Sequence, residues 1–214
     1  MIQGTAGDRI AGLSTRLFVL FLAMVIAGFA IPSPGIAGDP RAQGPSGPTY
    51  APLAAPARPT QLIVPTIGLR AAVLPIEVKP DGVLEPPVDV NDVGWWRRSA
   101  RPGATSGQTL ITGHTVHAGG GVMDKLGEVR PGDVVRVRTA KGTVDYRATK
   151  VFVYTRAQLA EHAEQLFNQQ REKIRLVLVT CTGWNGKEYN SNIIVLADQL
   201  GVRPRAGAAN NQSA

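Results

Sequence analysis

The sequence predicts a mainly β domain, closed or nearly closed into a barrel, with one or two short helices. Three observations lead there. Short β-branched runs recur between turn signals. Two of them, Arg175–Cys181 (RLVLVTC) and Asn192–Ala197 (NIIVLA), are continuous enough to be central strands. Only Ala157–Gln170 places apolar residues (Leu159, Ala163, Leu166, Phe167) at helical spacing. Many short strands with so little helix suit a barrel.

The elements follow in order. Gln61–Val64 and Ala71–Val78 are short apolar stretches bounded by proline, and Asp81-Gly82 signals a turn. Trp95 and Trp96 are adjacent, so on a strand one faces the core and the other the surface. Thr109–Thr112 is a strand ending at Gly113. Val134–Thr139 alternates valine with arginine, which describes a half-exposed strand between the turns at Pro131-Gly132-Asp133 and Lys141-Gly142. Thr143–Tyr154 is its longer partner.

Four regions are expected: a start and anchor at 1–38, a linker at 39–60, the folded domain at 61–202 and a disordered tail at 203–214. Leu17–Ile31 (LFVLFLAMVIAGFAI) is uncharged and follows Arg9 and Arg16. That pattern predicts export, with the amino terminus in the cytoplasm. The charge-free window Leu17–Gly38 reaches the ~20 residues a spanning helix needs. A single-pass anchor in the cell membrane is therefore expected; cleavage near Gly35-x-Ala37 is the alternative. Both put the domain outside the cytoplasm. The region 39–60 is rich in Pro, Ala and Gly and suits a semi-extended spacer.

The chain has 214 residues and a net charge of +7, from 23 Lys and Arg against 16 Asp and Glu. The basic residues are dispersed, and no module for nucleic acid is present. An anionic membrane surface or cell wall fits better. The single cysteine, Cys181, excludes an intrachain disulfide and a four-cysteine zinc site.

Two segments carry chemistry. In Thr109-Leu110-Ile111-Thr112-Gly113-His114 and in Leu178-Val179-Thr180-Cys181-Thr182-Gly183-Trp184, an apolar strand runs into a reactive residue beside glycine. If those strands are neighbours, His114 and Cys181 share a cleft. An imidazolium there stabilises a thiolate nucleophile and protonates a leaving amine, giving acyl transfer through a thioester. Thr112, Thr180 and Trp184 are the expected substrate contacts; core packing is the alternative for Trp184. His117 reads as a loop histidine in the glycine-rich turn Ala118–Gly121. The spacing of the two histidines and Cys181 gives no support for zinc, and neither metal nor cofactor is expected.

These segments resemble the sortase family. Thr112-Gly113-His114 matches its Thr-Gly-His, and Leu178-Val179-Thr180-Cys181 its Leu-x-Thr-Cys. Leu126 through Gly132-Asp133 matches a Leu-(x)5-Gly-Asp pattern between them. The likeness runs from about Gln61 to Leu200 and is nearest to classes E and F of high-GC actinobacteria. It implies an eight-stranded β-barrel. It also implies a substrate with a sorting signal of the Leu-Pro-x-Thr-Gly kind, and transfer to an amine of cell wall precursor or pilin. One departure stands out. Where the family carries Arg, often in Tyr-Arg-x-Asn, this chain has Tyr189-Asn190-Ser191-Asn192. Asn190 is expected to face the cleft as the oxyanion donor, with Asn192 pointing the same way; Lys187, Arg97, Arg98 or Arg101 are alternative cations. Against the transpeptidase stand two other readings. An L,D-transpeptidase would hold His and Cys in one tight motif, which this chain lacks. A weakly catalytic or non-catalytic wall- or peptide-binding module of the same fold is the other.

Overall fold

A computed structural model describes residues 49–80 and 82–202. The expected anchor, residues 39–48 of the linker, Asp81 and the tail lie outside the described residues. Among the described residues no helix is long and apolar enough to cross a membrane.

Eight strands close a barrel: β1 (Pro59–Val64), β2 (Leu69–Ile76), β3 (Val93–Trp96), β4 (Gln108–Gly113), β5 (Val134–Thr139), β6 (Gly142–Thr155), β7 (Arg175–Trp184) and β8 (Tyr189–Val202). Around the barrel they run β1-β2-β3-β4-β7-β8-β6-β5. Most neighbours are antiparallel; β2 with β3 and β4 with β7 are parallel. The mainly β barrel read from the sequence is the observed architecture.

Alternation sorts the side chains onto two faces. Leu62, Val64, Ile111, Val137, Leu178 and Val195 fill the interior and are essentially inaccessible to water. Burial of each such side chain contributes about 1.5–3 kcal/mol. Leu110, Val177, Val179, Ile194 and Leu196 point outward from β4, β7 and β8 into a second cluster. Trp95 joins the interior and Trp96 the outer cluster, as adjacent strand positions require.

The expected helix Ala157–Gln170 is instead two short ones, α1 (Arg156–Glu161) and α2 (Ala163–Phe167). Thr155 and Gln158 form a reciprocal capping box that starts α1. The chain leaves helical geometry at Asn168 because its next residues bond elsewhere. The Gln169 Oε1 accepts from the backbone N–H of Ala100 (3.0 Å) and Gln108 (3.2 Å). Nearby, Arg175 donates from Nε to Gln108 Oε1 (2.5 Å) and from Nη2 to the Gln165 carbonyl (2.8 Å). These bonds fasten the helices over the outward face of β4, β7 and β8.

Part of the region read as linker is packed. Leu53 and Ala57 are buried against the barrel, and Ala51 bridges to Val202. Apolar residues spaced through a proline-rich stretch have no periodicity, so the sequence does not announce this contact.

Candidate active site

β4 and β7 are adjacent and parallel, with Thr112 beside Val179. The paired register ends at Thr112–Val179, two residues short of His114 on one strand and of Cys181 on the other. Thr180 fixes the alignment. Its buried hydroxyl donates to the Gly113 carbonyl (2.7 Å) and shares a hydrogen bond with Thr115 Oγ1 (2.8 Å). One side chain on β7 thus clamps the residues on both sides of His114.

The loop bearing His114 is pinned from its far side as well. Met123 N–H donates to the His114 carbonyl (3.0 Å). The Asp124 carboxylate accepts from the N–H groups of Val116 (2.7 Å) and Gly121 (2.9 Å). A Cβ on Gly121 would stand 2.8 Å from the His114 carbonyl, so only glycine fits there. The half-buried ring of His114 lies with Nε2 2.8 Å from the Pro87 carbonyl, in the loop between β2 and β3. A carbonyl only accepts, so Nε2 carries the proton and Nδ1 is left for exchange with a partner.

Cys181 is exposed and opens onto a cavity of about 490 Å³. Thr112, Thr180 and Asn192 line the same end. The remaining walls are apolar: Val83, Leu84 and Pro86 from the β2–β3 loop, Trp96, and Leu159 and Phe167 from the two helices. Burial pushes the Cys181 thiol up from its ordinary range, and the positive charge of Arg156 acts in the opposite direction.

The amide beside the sulfur is Asn192. It pairs directly with Cys181 across the β7–β8 ladder. Its Nδ2 lies 3.3 Å from the Thr180 carbonyl and 3.9 Å from the sulfur. Asn190, expected in that role, stands one alternation further out. Its side chain accepts from Ser191 Oγ (2.9 Å) and reaches over Gly183, where an added Cβ would lie 2.2 Å from its Oδ1. The register is set by the short turn between Trp184 and Tyr189, whose geometry is not readable from strand periodicity.

The other expected contacts divide. Thr112 and Thr180 border the cavity, but the Thr180 hydroxyl is engaged with β4 and acts as a clamp. Trp184 lies beyond the cavity at the barrel mouth, stacked on His117 with ring centres 4.2 Å apart and planes within 5°. Tyr189 meets Trp184 edge-on, with ring centres 5.1 Å apart. His117 is thus a stacking residue rather than a bare loop histidine. Sequence reasoning missed the Pro87 contact and the β2–β3 loop as a cavity wall. The adjacent Pro86 and Pro87 were the available signal, since they favour extended chain that cannot join a ladder.

A family model described as the sortase domain matches residues 62–200. The chain belongs to the sortase family. Sortases are cysteine transpeptidases that act on proteins bearing sorting signals, and this sortase has Cys181 as its single cysteine. Its fold is similar to that of several solved sortases. Sortase A from Corynebacterium diphtheriae matches with a TM-score of 0.55 and 20% identity, over 71% of this chain and 65% of that one. Sortase C-1 from Actinomyces oris gives 0.52 and 18%, over 68% and 73%. The Clostridium perfringens sortase D5 transpeptidase gives 0.50 and 21%, over 66% and 78%. At these identities the likeness speaks for the fold. No curated protein matches the sequence.

Proposed function

We propose that this sortase cleaves a Leu-Pro-x-Thr-Gly-like signal at the outer face of the cell membrane and joins the new carboxyl end to an amine of cell wall precursor or pilin. The supporting observation is the apolar cavity ending at Cys181. Its walls suit an extended peptide with leucine and proline side chains, leaving the scissile carbonyl at the thiol. The expected anchor and the part of the spacer ahead of Thr49 would hold the domain near the membrane, and the sequence resembles classes E and F most.

The residues divide the work as follows. His114 takes the Cys181 proton through Nδ1 while the Pro87 carbonyl holds Nε2–H. The sulfur attacks the Thr carbonyl carbon, and the Asn192 amide donates to the oxygen as it gains charge. Collapse breaks the C–N bond, and the imidazolium gives its proton to the departing amine. A thioester remains. The acceptor amine attacks it, His114 takes the amine's proton, and the thiolate leaves. One amide is broken and one is made, with no redox change.

The test is mass spectrometry of the full-length protein incubated with a panel of sorting-signal peptides. An acyl adduct on Cys181 is expected, absent in Cys181→Ala and reduced at least a hundredfold, on the order expected for loss of an acid/base group, in His114→Ala. A thiol that alkylates normally yet takes an acyl group from no peptide would overturn the reading.

A further inference from the structure

A second cavity, of about 440 Å³, opens on the outer face of β6, β7 and β8. It has no lining residue in common with the cavity at Cys181. The helix α2 divides the two: Phe167 lines the one at Cys181, and Gln165 and Leu166 line the second. The acyl transfer above makes no use of it.

Three cations converge on this second cavity from three elements. Lys150 comes from β6, and a bulge puts it there. The register with β8 shifts between Ala148, opposite Ala197, and Lys150, opposite Leu196. Ala148 faces the barrel interior, so strict alternation without the extra residue Thr149 would turn Lys150 inward as well. Thr149 Oγ1 donates to the Leu196 carbonyl (3.1 Å) and holds the bulge. Arg175 comes from the first position of β7 and is only 7% exposed. Its bonds to Gln108 and Gln165 fix its direction. Arg171 comes from the segment between α2 and β7, where its carbonyl accepts from the Gly107 N–H (2.9 Å). The Arg171 Nε is buried and has no hydrogen-bond partner.

The positive charge is poorly compensated. Among the described residues, the one acidic group lining the cavity is Asp198, which stands in a ladder row between Arg147 and Arg175. Burial, and then the charge of Arg171, push the Arg175 guanidinium down to about 10, while Asp198 acts the other way. A buried donor without a partner, beside a second buried cation, is costly unless an anion completes the set.

We propose that this cavity is a binding site for a phosphate or diphosphate group. The donors select it. A carboxylate offers two oxygens in one plane and a single charge. A phosphate offers tetrahedrally arranged oxygens and up to two charges, which suits one ammonium and two guanidiniums arriving from different directions. The Arg171 Nε–H gains its missing acceptor. Phe152, Tyr154, Leu166 and Leu196 complete the wall, so an organic group carried by the phosphate packs against them. The site does not depend on the transpeptidase reading.

Calorimetric titration of the full-length protein, in a non-ionic detergent, with sodium pyrophosphate tests it. Saturable binding with one site per chain and Kd below about 1 mM is expected at about 0.15 M NaCl. Lys150→Glu and Arg171→Gln should each weaken it at least about tenfold. Arg138→Gln removes an exposed charge from β5, outside the cavity, and should leave Kd within about twofold. Lys150 is exposed, so its replacement spares the fold; the rate of Cys181 alkylation by iodoacetamide in Lys150→Glu should stay within about twofold of the parent and serves as the check. Competition then names the source of the phosphate. Phosphatidic acid in mixed micelles displacing pyrophosphate better than glycerol 3-phosphate does would assign the site to a lipid headgroup, and the reverse order to a soluble ester. No saturable binding of pyrophosphate, or equal weakening by Arg138→Gln and Lys150→Glu, would overturn the proposal.

Discussion

Asn192 reaches the Cys181 sulfur through an amide N–H, and its neighbour two residues back does not line the cavity. The two asparagines share chemistry and strand face, so substituting them separates position from type. Asn192→Ala should lower kcat on the order of a hundredfold, the usual loss for one oxyanion donor. Asn190→Ala should fall by less than about threefold, since its side chain bonds to Ser191. Equal losses in peptide turnover would return Asn190 to the site. This distinction was only half legible in the sequence. Periodicity puts both residues on one face. Choosing between them needs the cross-strand register, which depends on how many residues the Trp184–Tyr189 turn consumes. Cys181 and His114, by contrast, can each be picked out from the sequence alone, because each ends an apolar run beside glycine, a signal local to its own segment.

At the level of elements, the β2–β3 loop has two tasks. Val83, Leu84 and Pro86 wall the cavity, and one residue later the Pro87 carbonyl holds the His114 ring. A change in the wall should therefore be felt in proton transfer as well as in binding. Leu84→Ala removes a half-buried side chain packed on the outer cluster. Peptide kinetics should show KM up on the order of tenfold, equivalent to about 1.4 kcal/mol, together with a lower kcat. A rise in KM at constant kcat would mean that the loop binds substrate without positioning His114. No such coupling was visible in the sequence. The loop has neither helical nor strand period, and its contacts are all with residues distant in the chain. The helical stretch failed for a related reason. Its period runs on to Gln170, but the Gln169 side chain satisfies backbone groups of β4 and its approach, and that tertiary demand ends the helix.

Across the whole molecule, the barrel was legible because many short, turn-bounded apolar runs have few other ways to bury one face each, while the count of eight strands came only with the family resemblance. Its margin was not. Leu53 and Ala57 cover the barrel from what looked like spacer, and the Ala51–Val202 bridge extends the β8 edge. A chain beginning at Gln61 should therefore be less stable than one beginning at Thr49. The expected deficit is about 2–4 kcal/mol, from the lost burial of Leu53 and its neighbours. Urea denaturation of the two chains measures it, and coincident midpoints would show that the packed stretch contributes nothing.

The parallel pairing of β4 with β7 has a temporal side. Parallel strands cannot be joined by a tight hairpin, and here β5, β6 and both helices lie between them in the chain. Such distant contacts form late, because the intervening loop must first be closed. Until then the segment bearing His114 is not docked on β7, and Cys181, paired only with Asn192 across the local β7–β8 hairpin, behaves as an ordinary, mostly protonated thiol. The enzyme is thus silent as a nascent chain and acquires its nucleophile only when the barrel shuts. Reactivity of that one thiol is a clock for the completion of folding.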